Sequence, residues 1–348
     1  MRARLPVKSS PAALAACSYV GDMKAFVFAL TALASCAFVP AWATPPTAAA
    51  PKPCSYTDLM PAYLAFAART ADLPPEQRAA AFRKDIAARY TDYYSAKDFG
   101  DDTKLQARAV RFFDLTKRNA VFPGLPPLTD AHLASMGAVI GPQFLAAQRK
   151  FMRTFPDFQC ATTVEFGISL LKFDGHPADF GGKQHLLFGV DVIAALHDKD
   201  DMPSFFDHEI FHIYHKQIIG QQMPKDDPAW VTLWVEGLAT YVSQRMNPQL
   251  DAQQVLWFPR DMVARMQKEA PRAAKLLLQD LDATEKPADR WFLMGTQVEG
   301  LPDRAGYYLG YLFAKSVGDG VPLPTLTRKS LDEVHEQERA FLTRLAGP

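Results

Sequence analysis

Residues 205–217, FFDHEIFHIYHKQ, constrain the fold more than any other part of the chain. The apolar and aromatic residues of this stretch predict a helix that is buried on most sides. Yet His208, Glu209, His212 and His215 lie among them. A polar or charged group in such a helix must find a partner or lose its charge. The segment is therefore either a core helix whose histidines are satisfied by other side chains, or a binding site for a metal ion.

His208-Glu209-Ile210-Phe211-His212 has the spacing H-E-x-x-H. On a helix, residues i and i+4 project from one face, so the two imidazoles can bind one zinc ion. The glutamate between them can then act as a base toward a water molecule. The chain contains 8 histidines, so the five residues indicate a zinc site without being decisive on their own.

The third ligand distinguishes the classes of zinc site. A histidine in the metzincin spacing would fall at position 218, which is Ile218. Glu236 is the only acid in the apolar segment AWVTLWVEGLATYVSQRM. A second helix that returns antiparallel after a short loop would bring Glu236 against His208 and His212. Two histidines and one carboxylate leave one coordination position open, as catalytic zinc sites do.

The two motifs together resemble those of the gluzincin metallopeptidases, which include thermolysin and aminopeptidase N. Residues 236–241, EGLATY, are similar to the E-G-x-A-x-[YF] stretch around the aminopeptidase zinc glutamate. Residues 306–315, GYYLGYLFAK, resemble the helix whose tyrosine stabilises the oxyanion. Residues 160–320 also look like a bacterial family of predicted zinc-dependent proteases. The resemblance implies a zincin-like core and one Zn²⁺ ion per chain, with these residues in the site: His208, His212 and Glu236 as ligands, Glu209 as general base, and Tyr307, or its neighbour Tyr308, as oxyanion donor.

The resemblance is incomplete at two places that bear on the substrate. Leu309 stands where the aminopeptidase helix has a lysine, and the chain lacks the G-x-M-E-N strand that binds the substrate's α-amine. HLLFGVD, residues 185–191, occupies the place of that strand and is expected to be an edge strand on which an extended peptide can pair. An endopeptidase or broad oligopeptidase is therefore favoured over an aminopeptidase, with a peptide or protein as the substrate.

Other residues near the motifs have simpler interpretations. We expect His215 to be a satisfied or exposed histidine and Thr240 to have a structural role. Asp207, His185 and Asp191 are assigned no role. The remaining aromatic residues of the motif helix are expected in the core, namely Phe205, Phe206, Phe211 and Tyr214.

The N-terminal residues predict export. From Met23 the sequence is MKAFVFALTALASCAFVPAWA, a lysine, an apolar stretch and an A-x-A cleavage site, so residues 1–43 are predicted to be a signal peptide, with Met23 as an alternative start. The apolar stretch is too short to favour a membrane span. LASC is an alternative lipoprotein signal with Cys36 acylated, but the apolar AFVPAWA after it favours ordinary cleavage. In the bacterial periplasm, the expected location, Cys54 and Cys160 either form a disulfide or remain two buried thiols.

The remaining pattern predicts a mainly helical α+β protein. Residues 44–53, TPPTAAAPKP, are expected to be a linker and residues 54–158 a helical region. Residues 159–348 are expected to be the metallopeptidase domain, with a small sheet, the H-E-x-x-H helix and a C-terminal helical lobe. Strands are predicted in ATTVEFGISLLKF and HLLFGVDVIA, which are rich in β-branched and aromatic residues. Helix boundaries are predicted at Pro74-Pro75, Asp101-Asp102, Asp227-Pro228 and Asn247-Pro248, and a break near Gly141-Pro142.

The function predicted from the sequence is an exported zinc metallopeptidase. One alternative is a non-catalytic periplasmic scaffold with a structural zinc, which Glu209 argues against because a structural site needs no base. Another is a zinc hydrolase of non-peptide amides or esters, which would use the same ligands. The formal net charge of zero, without a basic run, gives no indication of nucleic-acid binding.

Overall fold

The computed structural model describes residues 50–119, 127–197 and 202–348, and the predicted signal peptide lies outside these ranges. Within them, helices predominate over one small sheet, which confirms a mainly helical α+β fold. None of the described helices is long and apolar enough to cross a bilayer. The strands are β1 (Ser55–Asp58), β2 (Thr163–Gly167), β3 (Gly175–Phe180) and β4 (Lys183–Gly189). The helices are α1 (Met60–Thr70), α2 (Pro75–Phe82, continued by a π-helical turn Arg83–Ala87), α3 (Ala96–Phe99), α4 (Asp102–Lys117), α5 (Asp130–Thr154), α6 (Val190–Leu196), α7 (Met202–Ile219), α8 (Ala229–Met246), α9 (Ala252–Leu256), α10 (Met262–Asp280), α11 (Lys286–Asp289), α12 (Ala305–Gly318), α13 (Leu323–Leu326) and α14 (Leu331–Ala346).

The four strands form a mixed sheet in the order β1-β2-β4-β3. β1, β2 and β4 run parallel, and β3 is an antiparallel edge strand. The expectation that HLLFGVD forms an edge strand is therefore wrong, because β3 covers its outer side. β3 itself has the sequence GHPADF, with Pro177 at its third position and no β-branched residue. An edge strand tolerates a proline, and pairing with β4 decides the conformation.

Of the two states expected for the cysteines, the structure contains the disulfide. Cys54 and Cys160 are joined, with a Cα–Cα distance of 4.9 Å. Beside this bond, the Lys52 N–H donates to the carbonyl of Phe158 at 2.9 Å, and the Cys160 N–H donates to the carbonyl of Lys52 at 3.0 Å. The end of the predicted linker is thus paired with the chain before β2. β1 then extends the sheet, and residues of both predicted regions contribute to one hydrophobic core.

The break predicted near Gly141-Pro142 is wrong, because α5 continues through both residues. A proline within a helix removes one backbone hydrogen bond and favours a kink. Here the helix keeps one continuous apolar face, on which Ile140, Phe144 and Phe151 are fully buried. Packing of an amphipathic face supplies most of a helix's stability in a protein, so it outweighs the lost hydrogen bond.

An aromatic cluster fixes α7 on the sheet. Phe166 of β2 and Phe188 of β4 stack with ring centroids 5.2 Å apart. Phe206 of α7 packs on Phe188 at 5.6 Å and on Phe144 of α5 at 5.5 Å. Because Phe206 is held on the sheet in this way, the rotation of α7 about its axis is set, and with it the direction in which the H-E-x-x-H side chains point.

α8 begins one residue later than the sequence predicts. Pro228 occupies the N-cap position, and Asp227 has a φ of 39° and makes no cap. The first N–H groups of the helix instead donate to the loop after α10. The Ala229 N–H donates to the Ala283 carbonyl at 2.9 Å, and the Trp230 N–H donates to the Leu281 carbonyl at 3.0 Å. Helix ends need such partners, and here the tertiary structure supplies them. The predicted end at Asn247 is confirmed.

Candidate metal centre

α7 and α8 bring together the three side chains that the sequence predicts as ligands. The Nε2 atoms of His208 and His212 are 3.0 Å apart. Glu236 Oε2 lies 3.2 Å from His208 Nε2 and 3.4 Å from His212 Nε2. Within the described residues, these three form the group of histidine and carboxylate side chains that could hold a metal ion.

The separations fit a small tetrahedral cation. Ligand atoms at zinc bond lengths of about 2.0–2.1 Å in a tetrahedron lie about 3.3 Å from one another. The observed distances of 3.0, 3.2 and 3.4 Å surround that value. Two neutral imidazole nitrogens that face each other at 3.0 Å repel unless a proton or another cation lies between them. The donor set therefore suits a cation in both geometry and charge.

The charges of the three groups are strongly coupled. Burial lowers the pKa of His208 to about 4, so this imidazole is neutral at pH 7. Burial would also lower the pKa of His212, but the Glu236 carboxylate raises it to about 9. Burial would raise the pKa of Glu236, yet His212 and His208 hold it well below its usual range. The site thus contains a fixed negative charge and gives up one proton when a cation binds.

Glu209 lies beside the three ligands and lines the same cavity. Burial raises its pKa to about 8, so its carboxyl group can both accept and release a proton near neutral pH. Gly175, the first residue of β3, makes room for it. A Cβ atom on Gly175 would lie 3.2 Å from the Glu209 carboxylate. The absence of a side chain at Gly175 therefore allows the edge strand to approach the carboxyl group closely.

The structure distinguishes the two candidate tyrosines. The ring of Tyr307 lies 6.4 Å from that of His208, nearly parallel to it, and lines the cavity. Burial and the neighbouring Glu236 carboxylate raise the pKa of Tyr307, so its hydroxyl keeps its proton. Tyr308 is buried in α12 and is not among the cavity residues. The tyrosine that faces the candidate metal ligands is thus Tyr307.

Two glycines set the distance between Tyr307 and Glu236. A Cβ atom on Gly237 of α8 would lie 2.2 Å from the carbonyl carbon of Gly310 of α12. A Cβ atom on Gly310 would lie 2.4 Å from the Leu233 carbonyl oxygen. The two helix backbones are therefore in direct contact, which only glycine permits at both positions. Because Gly237 follows Glu236, this contact places α12 against the ligand helix at the site.

The site opens into a cavity of about 670 Å³ between β3, α7 and α12. Part of its wall consists of residues outside the sequence motifs: Asp174, His197, Trp257, Phe258 and Arg304. The Arg304 guanidinium lies 3.9 Å from the centre of the Tyr307 ring and donates to the carbonyls of Leu256 and Phe258 at 3.4 and 3.3 Å. These residues come from separate loops, and no local pattern in the sequence marks them as neighbours.

Three residues near the motifs, Thr240, His215 and Asp191, contact other parts of the fold and do not belong to the candidate metal site. Thr240 donates its hydroxyl to the Glu236 carbonyl at 2.8 Å. His215 is buried and stacks on Phe211, with ring centroids 5.1 Å apart. Neither of its ring nitrogens has a hydrogen-bond partner among the described residues, so the expectation of a satisfied or exposed histidine is wrong. Asp191 accepts from the N–H groups of Ser169 and Leu171, both at 2.6 Å.

Two other residues near the motif have partners of their own. Asp207 is fully buried and is bound by Lys150 and by the Asn247 amide. His185, to which no role was assigned, lines the cavity and lies with Nδ1 2.6 Å from Glu165 Oε1. Neither residue reaches the three ligand atoms of the candidate metal site.

Comparisons with protein-family models, with curated proteins and with solved structures found no match for this chain. Its function is therefore inferred from its own residues.

Proposed function

We propose that the protein is an exported zinc metallopeptidase of the gluzincin type, with a zincin-like core. The observation that carries this proposal is the convergence of two imidazole nitrogens and one carboxylate oxygen at tetrahedral spacing, beside a further carboxyl group, in an open cavity. His208, His212 and Glu236 would hold the ion. When bound, zinc would supply Lewis acidity that polarises a carbonyl group and lowers the pKa of water.

Glu209 is the general base. Its carboxylate takes a proton from the attacking water and delivers the proton to the leaving amine when the C–N bond breaks. Burial raises the pKa of the Glu209 carboxyl group, which helps it to hold the proton between the two steps. Because Gly175 has no side chain, the backbone of β3 lies close to this carboxylate.

Tyr307 donates a hydrogen bond to the oxygen that becomes negative when water adds to the carbonyl carbon. Its hydroxyl keeps its proton because burial and Glu236 raise its pKa. Arg304 packs on the ring of Tyr307 and limits the rotation of that side chain. The backbone of the edge strand β3 offers an extended peptide a row of hydrogen-bonding groups beside Glu209.

A purely structural metal site is less consistent with this arrangement. Structural zinc sites usually have four protein ligands and no open position. The group here has three members, and it faces a cavity rather than the core. A structural site also gives no reason for a buried carboxyl group at position 209, where burial is costly for the charged form.

Metal removal tests the proposal directly. We expect the purified protein to contain one zinc per chain and to cleave members of a mixed, quenched peptide library. Treatment with a chelator should abolish cleavage, and zinc, unlike magnesium, should restore it, because nitrogen ligands favour zinc. A metal-free protein, or cleavage that the chelator does not affect, would contradict the proposal. Bound zinc with ester hydrolysis and no peptide cleavage would support the non-peptide alternative.

The role of Tyr307 can be tested with its neighbour as the control. Tyr307→Phe removes the hydroxyl and keeps the ring, so we expect kcat to fall by about 10²–10³-fold, the usual effect of losing one oxyanion donor. Zinc content should not change. Tyr308→Phe makes the same chemical change one residue away and should leave kcat within about twofold, since Tyr308 does not line the cavity. Equal losses in the two variants would show that Tyr307 has no special role.

A further inference from the structure

Two large apolar side chains are exposed to solvent at the mouth of the cavity. Leu293 is 52% exposed and Met294 is 56% exposed, and both line the cavity. We call these two residues the lip. Among the described residues, the other large apolar side chain with comparable exposure is Tyr56, which lies on β1 at the opposite edge of the sheet from β3. Adjacent exposed apolar residues beside a cavity commonly mark a binding surface.

The exposure of the lip does not result from a loosely held loop. The Leu293 N–H donates to the Asp289 carbonyl at 3.1 Å, and the Leu293 carbonyl accepts from the Thr296 hydroxyl at 2.9 Å. The Gly295 N–H donates to the Asp303 carboxylate at 3.0 Å. Hydrogen bonds to backbone atoms on both sides of the lip therefore hold these side chains facing the solvent.

The residues just before the lip connect it to the candidate metal site. Trp291 is buried and donates its indole N–H to Asp280 at 2.8 Å. Phe292 is also buried and packs on Tyr307, with ring centroids 6.1 Å apart. A Cβ atom on Gly306 would lie 2.4 Å from the Phe292 ring, so this glycine allows the loop to lie directly on α12. The apolar surface of the lip thus continues inward along the cavity wall to the site.

We infer that the lip binds a large apolar side chain of an extended peptide segment, next to the bond that is cleaved. The inference rests on the proposed function. It follows from the continuity of the lip with the apolar cavity wall, which includes Phe205, Trp257 and Phe258. A second copy of the chain is a poorer occupant, because a stable dimer needs about 800 Å² from each partner and the lip offers two side chains.

The test uses two sets of peptides, and within each set all peptides have equal length and charge. In each set, one leucine is moved through the central positions of a serine-rich host, and the reference peptide has serine throughout. One set is cleavable, and the other carries a reduced amide in place of the central peptide bond so that only binding is measured. For the wild-type protein we expect the best leucine peptide to bind about tenfold more tightly than the reference, as burial of one large apolar side chain predicts.

The variant Leu293→Ser/Met294→Ser should reduce this preference to less than about threefold, through weaker binding of the leucine peptide alone. Gln297→Ser changes an exposed residue of the same loop that does not line the cavity, and it should keep the preference. Leu293→Met/Met294→Leu should keep it as well, because these exchanges conserve volume and apolar character.

The inference is wrong if the serine variant keeps the preference for leucine peptides, or if the wild-type protein has no such preference. It is also wrong if the serine variant changes in self-association but not in peptide binding. The two proposals fail separately. Lip-dependent binding of the reduced-amide peptides without cleavage of the other set would support the lip and contradict the peptidase. Cleavage with the same peptide preference in the wild-type protein and in the serine variant would support the peptidase and contradict the lip.

Discussion

Replacement of Glu209 by glutamine should lower kcat for peptide hydrolysis by about 10²–10⁴-fold, the usual contribution of a general base. Glutamine has nearly the same size and shape as glutamate, but it cannot accept the proton of the attacking water. Glu209 is not one of the three converging ligands, so zinc content should remain at one per chain. The measurements are steady-state hydrolysis of the best library peptide and metal analysis of the same samples.

Glu338 offers a matched control for the chemical change. It is a fully buried glutamate of α14, does not line the cavity, and has no hydrogen-bond partner for either carboxylate oxygen within the described structure. Burial raises the pKa of Glu338 well above its usual range and so favours the neutral form of the carboxyl group, which glutamine resembles. Glu338→Gln should therefore keep the wild-type kcat. Full activity in Glu209→Gln would show that the base lies elsewhere.

Replacement of His212 by alanine should weaken zinc binding by more than about 100-fold. Loss of a residue that only supports a ligand costs about 10–100-fold in metal affinity, and loss of a direct ligand should cost more. His212 contributes one of the three converging atoms, and its side chain is about 25% exposed. Hydrolysis should be lost together with the metal. Zinc affinity can be measured by competition with a chelator.

The melting temperature gives a second measurement of the same loss. A ligand that binds only the folded state at 100 times its Kd stabilises that state by about 2.7 kcal/mol. Added zinc should therefore raise the Tm of the metal-free wild-type protein, and the rise should be absent in His212→Ala.

His215→Ala is the matched control on the same helix. His215 lies one turn further along α7, is buried, and is not part of the converging group. We expect its removal to lower the Tm by leaving a cavity, while the increase caused by zinc persists. If both histidine variants bind zinc as the wild type does, the metal site proposed here is wrong.

Local geometry accounts for what could be predicted from the sequence. The i and i+4 spacing of His208 and His212 places them on one face of any α-helix, whatever surrounds it. Glu236 could be predicted as their partner because a lone acid in an apolar helix needs a cation or a proton. The helix ends at Asp101 and Asn247 follow from capping and breaking signals within a few residues.

Other features depended on contacts between distant parts of the chain. Neighbouring tyrosines on one helix project in different directions, and the contact of Gly237 with Gly310 sets which of them faces the site. The edge position of β3 depended on its pairing with β4, against the local preferences of its own residues.

The sequence by itself determined the candidate ligands, the candidate base and the mainly helical composition, because each depends on residue types at short spacing. The tertiary structure decided the choice of Tyr307, the cavity wall around Arg304 and Trp257, and the exposed lip. Those features require loops and helices far apart in the chain to come into contact. Such contacts are set by the packing of the whole core, and no local periodicity encodes them.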